Sequence, residues 1–77
     1  MGDIRKAIEY IKNGLDIAVK LGYKDGESLC YTNLGIAYHR LGDIKKAIEY
    51  YEKGLGIAKE IGDKQGEGSC YTNLNHF

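Results

Sequence analysis

From Ile44 onward the apolar residues fall at Ile44, Ala47, Ile48, Tyr51, Leu55, Ala58 and Ile61. Steps of three and four draw one face of an amphipathic helix. The opposite face carries Lys45, Lys46, Glu49, Glu52, Lys53, Lys59 and Glu60, with Lys45–Glu49 and Glu49–Lys53 spaced for i, i+4 pairing. The same stripe appears upstream at Ile4, Ala7, Ile8, Ile11, Leu15, Ala18 and Leu21. Between them lies a segment with Leu29, Cys30, Tyr31, Leu34, Ile36, Ala37, Tyr38 and Leu41. It is apolar over more of its circumference, as suits a helix covered on several sides. The segments are separated by Gly-Asp. Gly42 and Gly62 suit the left-handed residue that ends a helix, and Asp43 and Asp63 can accept from the free N–H groups opening the next. Asp3 repeats the arrangement at the start, whereas Tyr23 stands in the aspartate position and cannot cap, which predicts a start shifted to Lys24 or Asp25. The pattern predicts four helices, about 3–21, 24–41, 44–61 and 64–76. No strand alternation appears, and two-residue turns force neighbouring helices antiparallel.

The chain repeats itself. Gly2-Asp3-Ile4-Arg5-Lys6-Ala7-Ile8-Glu9-Tyr10 returns forty residues on as Gly42-Asp43-Ile44-Lys45-Lys46-Ala47-Ile48-Glu49-Tyr50. Cys30-Tyr31-Thr32-Asn33-Leu34 returns at the same offset as Cys70-Tyr71-Thr72-Asn73-Leu74. Of the 36 residues from 2 to 37, 21 recur identically at 42 to 77. A helical period of this length is that of a repeat array, in which units bury their apolar faces on one another. The expected fold is all-α: antiparallel helix-turn-helix repeats stacked as a short α-solenoid, a single domain over 1–77.

Two motifs carry a family resemblance. Tyr31-x2-Leu34-Gly35-x2-Tyr38 and Ala47-x3-Tyr51 resemble the tetratricopeptide repeat, with tyrosine in place of its tryptophan and phenylalanine. The family's usual proline is missing, and the forty-residue period is similar to that of the subclass found in cell-polarity and spindle-orientation adaptors. The resemblance covers essentially the whole chain and implies a right-handed α-solenoid with one full repeat at 24–61 between part-repeats. It fails at Asn75-His76-Phe77, which stands where Gly35-Ile36-Ala37 stood. Gly35 lets neighbouring helices approach closely, and an asparagine side chain holds them apart. Tyr31, Tyr38, Tyr51 and Tyr71 occupy the family's packing positions and are expected in the core, with Tyr10 and Tyr50 nearer the convex surface.

Composition narrows the functions. The 77 residues hold 11 Lys+Arg and 11 Asp+Glu, a formal net charge of zero. A nucleic-acid or membrane-surface protein needs a basic face, so both classes are disfavoured. A chain of this length buries only about 60% of its unfolded surface, so a lone core is marginal. Cys30 and Cys70 are too few for a disulfide scaffold and read as small buried hydrophobes. With no basic-then-apolar leader, the free thiols point to a cytoplasmic protein. No HExxH, CxxC or phosphate-binding glycine loop is present. The remaining candidates for chemistry, Cys30, Cys70, His39, His76 and the carboxylates, form no nucleophile–base pair at workable spacing. No catalysis, no cofactor and no metal site are therefore expected.

The resemblance implies a protein-binding trough lined by the first helix of each repeat. Its peptide-contacting positions carry over to Leu29, Thr32, Asn33, Ile36, His39 and Arg40, and in the next repeat to Ser69, Thr72, Asn73 and His76. Asn33 and Asn73 sit where some family members hold peptide backbone, and an amide both donates and accepts. The bland reading of Asn33 is a bond to a neighbouring backbone group, and that of Arg40 is a solvated cation favoured by the helix dipole. The implied function is a non-catalytic interaction scaffold whose partner is a protein or peptide. The alternative is structural: spacer units of a longer solenoid, or an engineered self-assembling fragment. Apolar faces at Ile4, Ile8, Ile11 and Leu15, and at Tyr71, Leu74 and Phe77, predict a homodimer or larger assembly through head-to-tail stacking or exchange of a terminal helix.

Overall fold

A computed structural model describes residues 3–75 and 77. They form four helices: α1 (Ile4–Leu21), α2 (Lys24–Leu41), α3 (Ile44–Ile61) and α4 (Lys64–Leu74). There is no strand among the described residues. Each helix packs on its chain neighbours, and α2 also touches α4. The result is the all-α, helix-turn-helix architecture of a short solenoid.

The turns follow from glycine at positive φ. Gly22, Gly42 and Gly62 adopt φ 69°, 85° and 71°. In each turn the glycine N–H and the next residue's N–H reach back to the last helical carbonyls: Asp43 N–H donates to Tyr38 O at 2.9 Å and Gly42 N–H to His39 O at 3.0 Å. The aspartates then open the next helix. Asp3 accepts from Arg5 N–H at 3.0 Å, Asp43 from Lys46 N–H at 3.2 Å and Asp63 from Gly66 N–H at 3.0 Å.

α2 begins at Lys24, as expected, although Tyr23 provides no side-chain cap. Asp25 and Glu27 in its first turn supply negative charge where the helix dipole favours it. α4 stops at Leu74 rather than 76, with Asn75 as its cap. In its last turns Thr72 Oγ1 donates to Gly68 O at 2.9 Å and Asn73 Nδ2 to Ser69 O at 3.0 Å. Side chains that compete for the helix's own carbonyls weaken it, and no glycine terminates it.

The core lies where α1, α2 and α3 meet. Ile8, Leu34, Ala37, Tyr38, Ala47 and Tyr51 are buried together. Ile8 was expected on an open face, but α2 covers it; Ile4, Ile11 and Leu15 beside it stay half-buried. Tyr71 holds a packing position of the repeat but was also expected on an apolar end face, and it is 44% exposed because no described helix covers the outer side of α4. Tyr50 stacks between Tyr31 and Tyr38, with ring centroids 6.0 and 5.4 Å away. Lys53 sits over Tyr31 and Tyr50, and Lys12 and Lys46 over Tyr38, all within 6 Å of a ring centre.

The titrating groups point one way. Burial pushes the Cys30 thiol and the Tyr51 phenol up from their ordinary values. Lys12 donates to Tyr38 and Lys59 to Tyr71, which holds both ammonium groups above theirs. Every shift is upward, so the fold favours each protonated form. The stability they contribute is complete below the unfolded values and is lost as pH rises through the folded ones. Thermal melts are expected to show Tm declining as pH rises above about 9, where Cys30 titrates in the unfolded chain. A Tm that climbs above that point contradicts the assignment.

Candidate functional site

α2 begins after the uncapped Tyr23 and α4 after the Asp63 cap, and their side-by-side approach leaves a groove of about 240 Å³ between their N-terminal halves. Asp25, Ser28, Leu29 and Thr32 line it from α2, and Asp63, Gln65, Gly66 and Ser69 from α4. Its floor is tied down by hydrogen bonds. The buried Ser28 Oγ donates to Gly54 O of α3 at 3.1 Å, and Thr32 Oγ1 donates to Ser28 O at 3.1 Å. Thr32 Oγ1 also lies 3.4 Å from Cys70 Sγ, which is fully buried beneath it. Leu29 stands at the rim, 62% exposed.

A second hollow of about 220 Å³ lies between α1 and α2, lined by Ile4, Ala7, Ile11, Asn33, Ile36, Ala37 and Arg40. It is predominantly apolar. The ten sequence-derived positions therefore divide. Leu29, Thr32 and Ser69 meet in the α2–α4 groove; Asn33, Ile36 and Arg40 meet in the α1–α2 hollow. His39 faces neither: its ring lies 4.7 Å from that of Phe77. Thr72 and Asn73 are spent on carbonyls of their own helix. His76 lies outside the described residues.

The division follows from helical geometry. Each residue turns the side chain by 100°, so Asn33 points a quarter-turn away from Thr32 and toward α1. Sequence reading missed Asp25, Ser28, Asp63, Gln65 and Gly66. Asp25 and Ser28 fall on the same stripe as Leu29 and Thr32, one turn nearer the helix start, and that stripe was the available signal.

Chemically the groove offers hydroxyls, an amide, two carboxylates and one exposed leucine. Among the described residues no group of three or more His, Cys, Asp or Glu could hold a metal. Both cysteines are free. No described helix is long and apolar enough to cross a membrane. A family model described as tetratricopeptide repeat matches residues 1–60. No curated protein and no solved structure matches the chain significantly. Helix pairs closed by Gly-Asp turns, stacked so that α2 and α4 share a groove, and a family match over most of the sequence lead to one statement: the chain belongs to the tetratricopeptide-repeat family.

Proposed function

We propose that the chain is a non-catalytic interaction scaffold that receives an extended segment of a protein partner in the α2–α4 groove. Tetratricopeptide repeats generally mediate protein–protein interactions, and the family is typically non-catalytic. The observation that carries the reading is convergence: Leu29 and Thr32 from one repeat and Ser69 from the next line one open groove. At about 240 Å³ it is smaller than the roughly 300–1,000 Å³ of small-molecule sites, and suits the few side chains of a docked segment. Asp25 and Asp63 in its lining favour a segment with a basic residue. We read residues 1–77 as one domain with a full repeat at 24–61. The forty-residue period supports likeness to the polarity and spindle-orientation subclass, and the free thiols support a cytoplasmic location.

The test is selection of binders from a displayed random peptide library on the immobilised chain. Leu29→Arg and Ser69→Arg alter exposed groove positions and are expected to shift stability by no more than about 0.5 kcal/mol. Selected peptides are expected to lose binding to both variants. Equal binding to wild type and variants overturns the groove assignment.

The scaffold also associates with itself through the open sides of α1 and α4. Tyr10 is 74% exposed and Tyr71 44%, and Ile4, Ile11 and Leu74 are only half-buried. Light scattering over a hundredfold concentration range is expected to show mass rising with concentration; a constant monomer mass removes this part of the proposal.

A further inference from the structure

The repeat provides its own template for that association. α1 is the forty-residue equivalent of α3, and α4 that of the first part of α2. Among the described residues, α2 lies on α3, nothing lies on the matching side of α1, and α4 has no helix on the side that α2 gives to α3. We infer that a second copy of this chain fills the vacancy: α4 of one copy packs on α1 and α2 of the next in the register of α2 on α3 and α4. The inference rests on the self-association proposed above and specifies its geometry.

Four comparisons between interior and junction support it. Cys70 Sγ is fully buried under Thr32 and lies against Gly54, where an added Cβ would sit 3.5 Å from the sulfur. Its equivalent Cys30 lies against Gly14 in the same way, at 3.8 Å, but is only half-buried, because no threonine covers it. In the stack Thr72 of the neighbouring copy takes the place of Thr32. Second, the exposed Tyr71 and Tyr10 correspond to Tyr31 and Tyr50, which stack in the interior.

Third, bulk moves across the junction without being lost. Inside, Gly35 makes room for the ring of Tyr51, whose carbons lie 2.6 Å from where a Cβ would stand. At the junction Asn75 replaces Gly35, and the smaller Ile11 replaces Tyr51. The asparagine that breaks the repeat thus meets a shortened partner. Fourth, charge is complementary. α4 has no basic residue in its last turn, and the first turn of α1 has no acidic residue but carries Arg5 and Lys6. The antiparallel register brings the carbonyl end of α4 to those cations. One interior contact has no counterpart: Gly68 stands where Ser28 donates to Gly54 O, so the junction is weaker than the interior. Tyr23 and Leu29 of one copy then face Gln65 and Ser69 of the other, and the concave groove continues across the contact.

Gly14 and Gly68 meet at this junction and tolerate side chains within the monomer. An added Cβ at Gly68 meets nothing within 4 Å, and at Gly14 only Cys30 Sγ at 3.8 Å. Gly14→Arg blocks the α1 side and Gly68→Arg the α4 side. The experiment measures mass by light scattering for wild type, each variant and their equimolar mixture, with mass-resolved alkylation of Cys30. Wild type is expected to associate, each variant alone to remain monomeric, and the mixture to form a one-to-one dimer. In that dimer Cys30 of the Gly68→Arg copy loses most of its reactivity while Cys30 of the Gly14→Arg copy keeps it. If wild type associates but either variant still self-associates, or the mixture forms no dimer, or protection falls on the other copy, the register is wrong and self-association stands. A wild type that stays monomeric overturns both, and assigns the open faces to another occupant such as a neighbouring repeat. The peptide selection is unaffected by either outcome.

Discussion

Tyr51→Ala is expected to unfold the chain at 25 °C. Tyr51 is the largest fully buried side chain, 1% exposed, at the centre of a cluster with Leu34 and Ala47. Truncating a buried aromatic to alanine costs about 3–5 kcal/mol, from lost transfer energy and the cavity left behind. A chain of this length rarely has more than about 3–5 kcal/mol to lose. Far-ultraviolet circular dichroism should therefore show loss of most helical signal in Tyr51→Ala. Tyr51→Phe keeps the ring and removes only the hydroxyl, so it should remain within about 1.5 kcal/mol of wild type. A folded, cooperatively melting Tyr51→Ala would show that the core does not depend on this ring.

The second large effect is expected at Gly35. Alanine normally improves a helix interior by about 1 kcal/mol over glycine. At Gly35 the new Cβ would stand 2.6 Å from two ring carbons of Tyr51, which is buried and cannot swing away. Overpacking costs about 1–3 kcal/mol, so the clash outweighs the propensity gain, and Gly35→Val exceeds Gly35→Ala. Gly56 supplies the control. It is exposed, in mid-helix, and a Cβ there meets nothing within 4 Å. Gly56→Ala should raise Tm while Gly35→Ala lowers it. Denaturant midpoints measured side by side check the opposite signs; equal signs would mean that α2 and α3 have room to move apart.

Much of this fold was legible before any coordinates. Gly42-Asp43 and Gly62-Asp63 marked turns whose chemistry is local: a left-handed glycine and an aspartate aimed at free N–H groups. The apolar stripes told which face each helix buries. What they could not tell was which faces find a neighbour. Tyr71 shares its motif with Tyr31, yet Tyr31 meets Tyr50 while the outer side of α4 is open. Ile8 looked exposed for the converse reason, because the reach of α2 over α1 depends on packing rather than on periodicity. The candidate site was legible as a helix surface but not as a groove. Leu29, Thr32 and Ser69 converge, while Asn33, Ile36 and Arg40 turn toward α1, a split that depends on the angle between helices. Thr72 and Asn73 were chosen for their polar groups, and those groups are spent within α4.

The central claim is that a partner segment lies between α2 and α4. The most direct measurement is the amide chemical-shift map of the isotopically labelled chain, titrated with a peptide selected from the displayed library. Perturbations concentrated over residues 25–32 and 63–69 are the predicted result. Perturbations centred on the outer surface of α1, around Lys6, Glu9, Tyr10 and Asn13, with the α2–α4 groove unmoved, would contradict it.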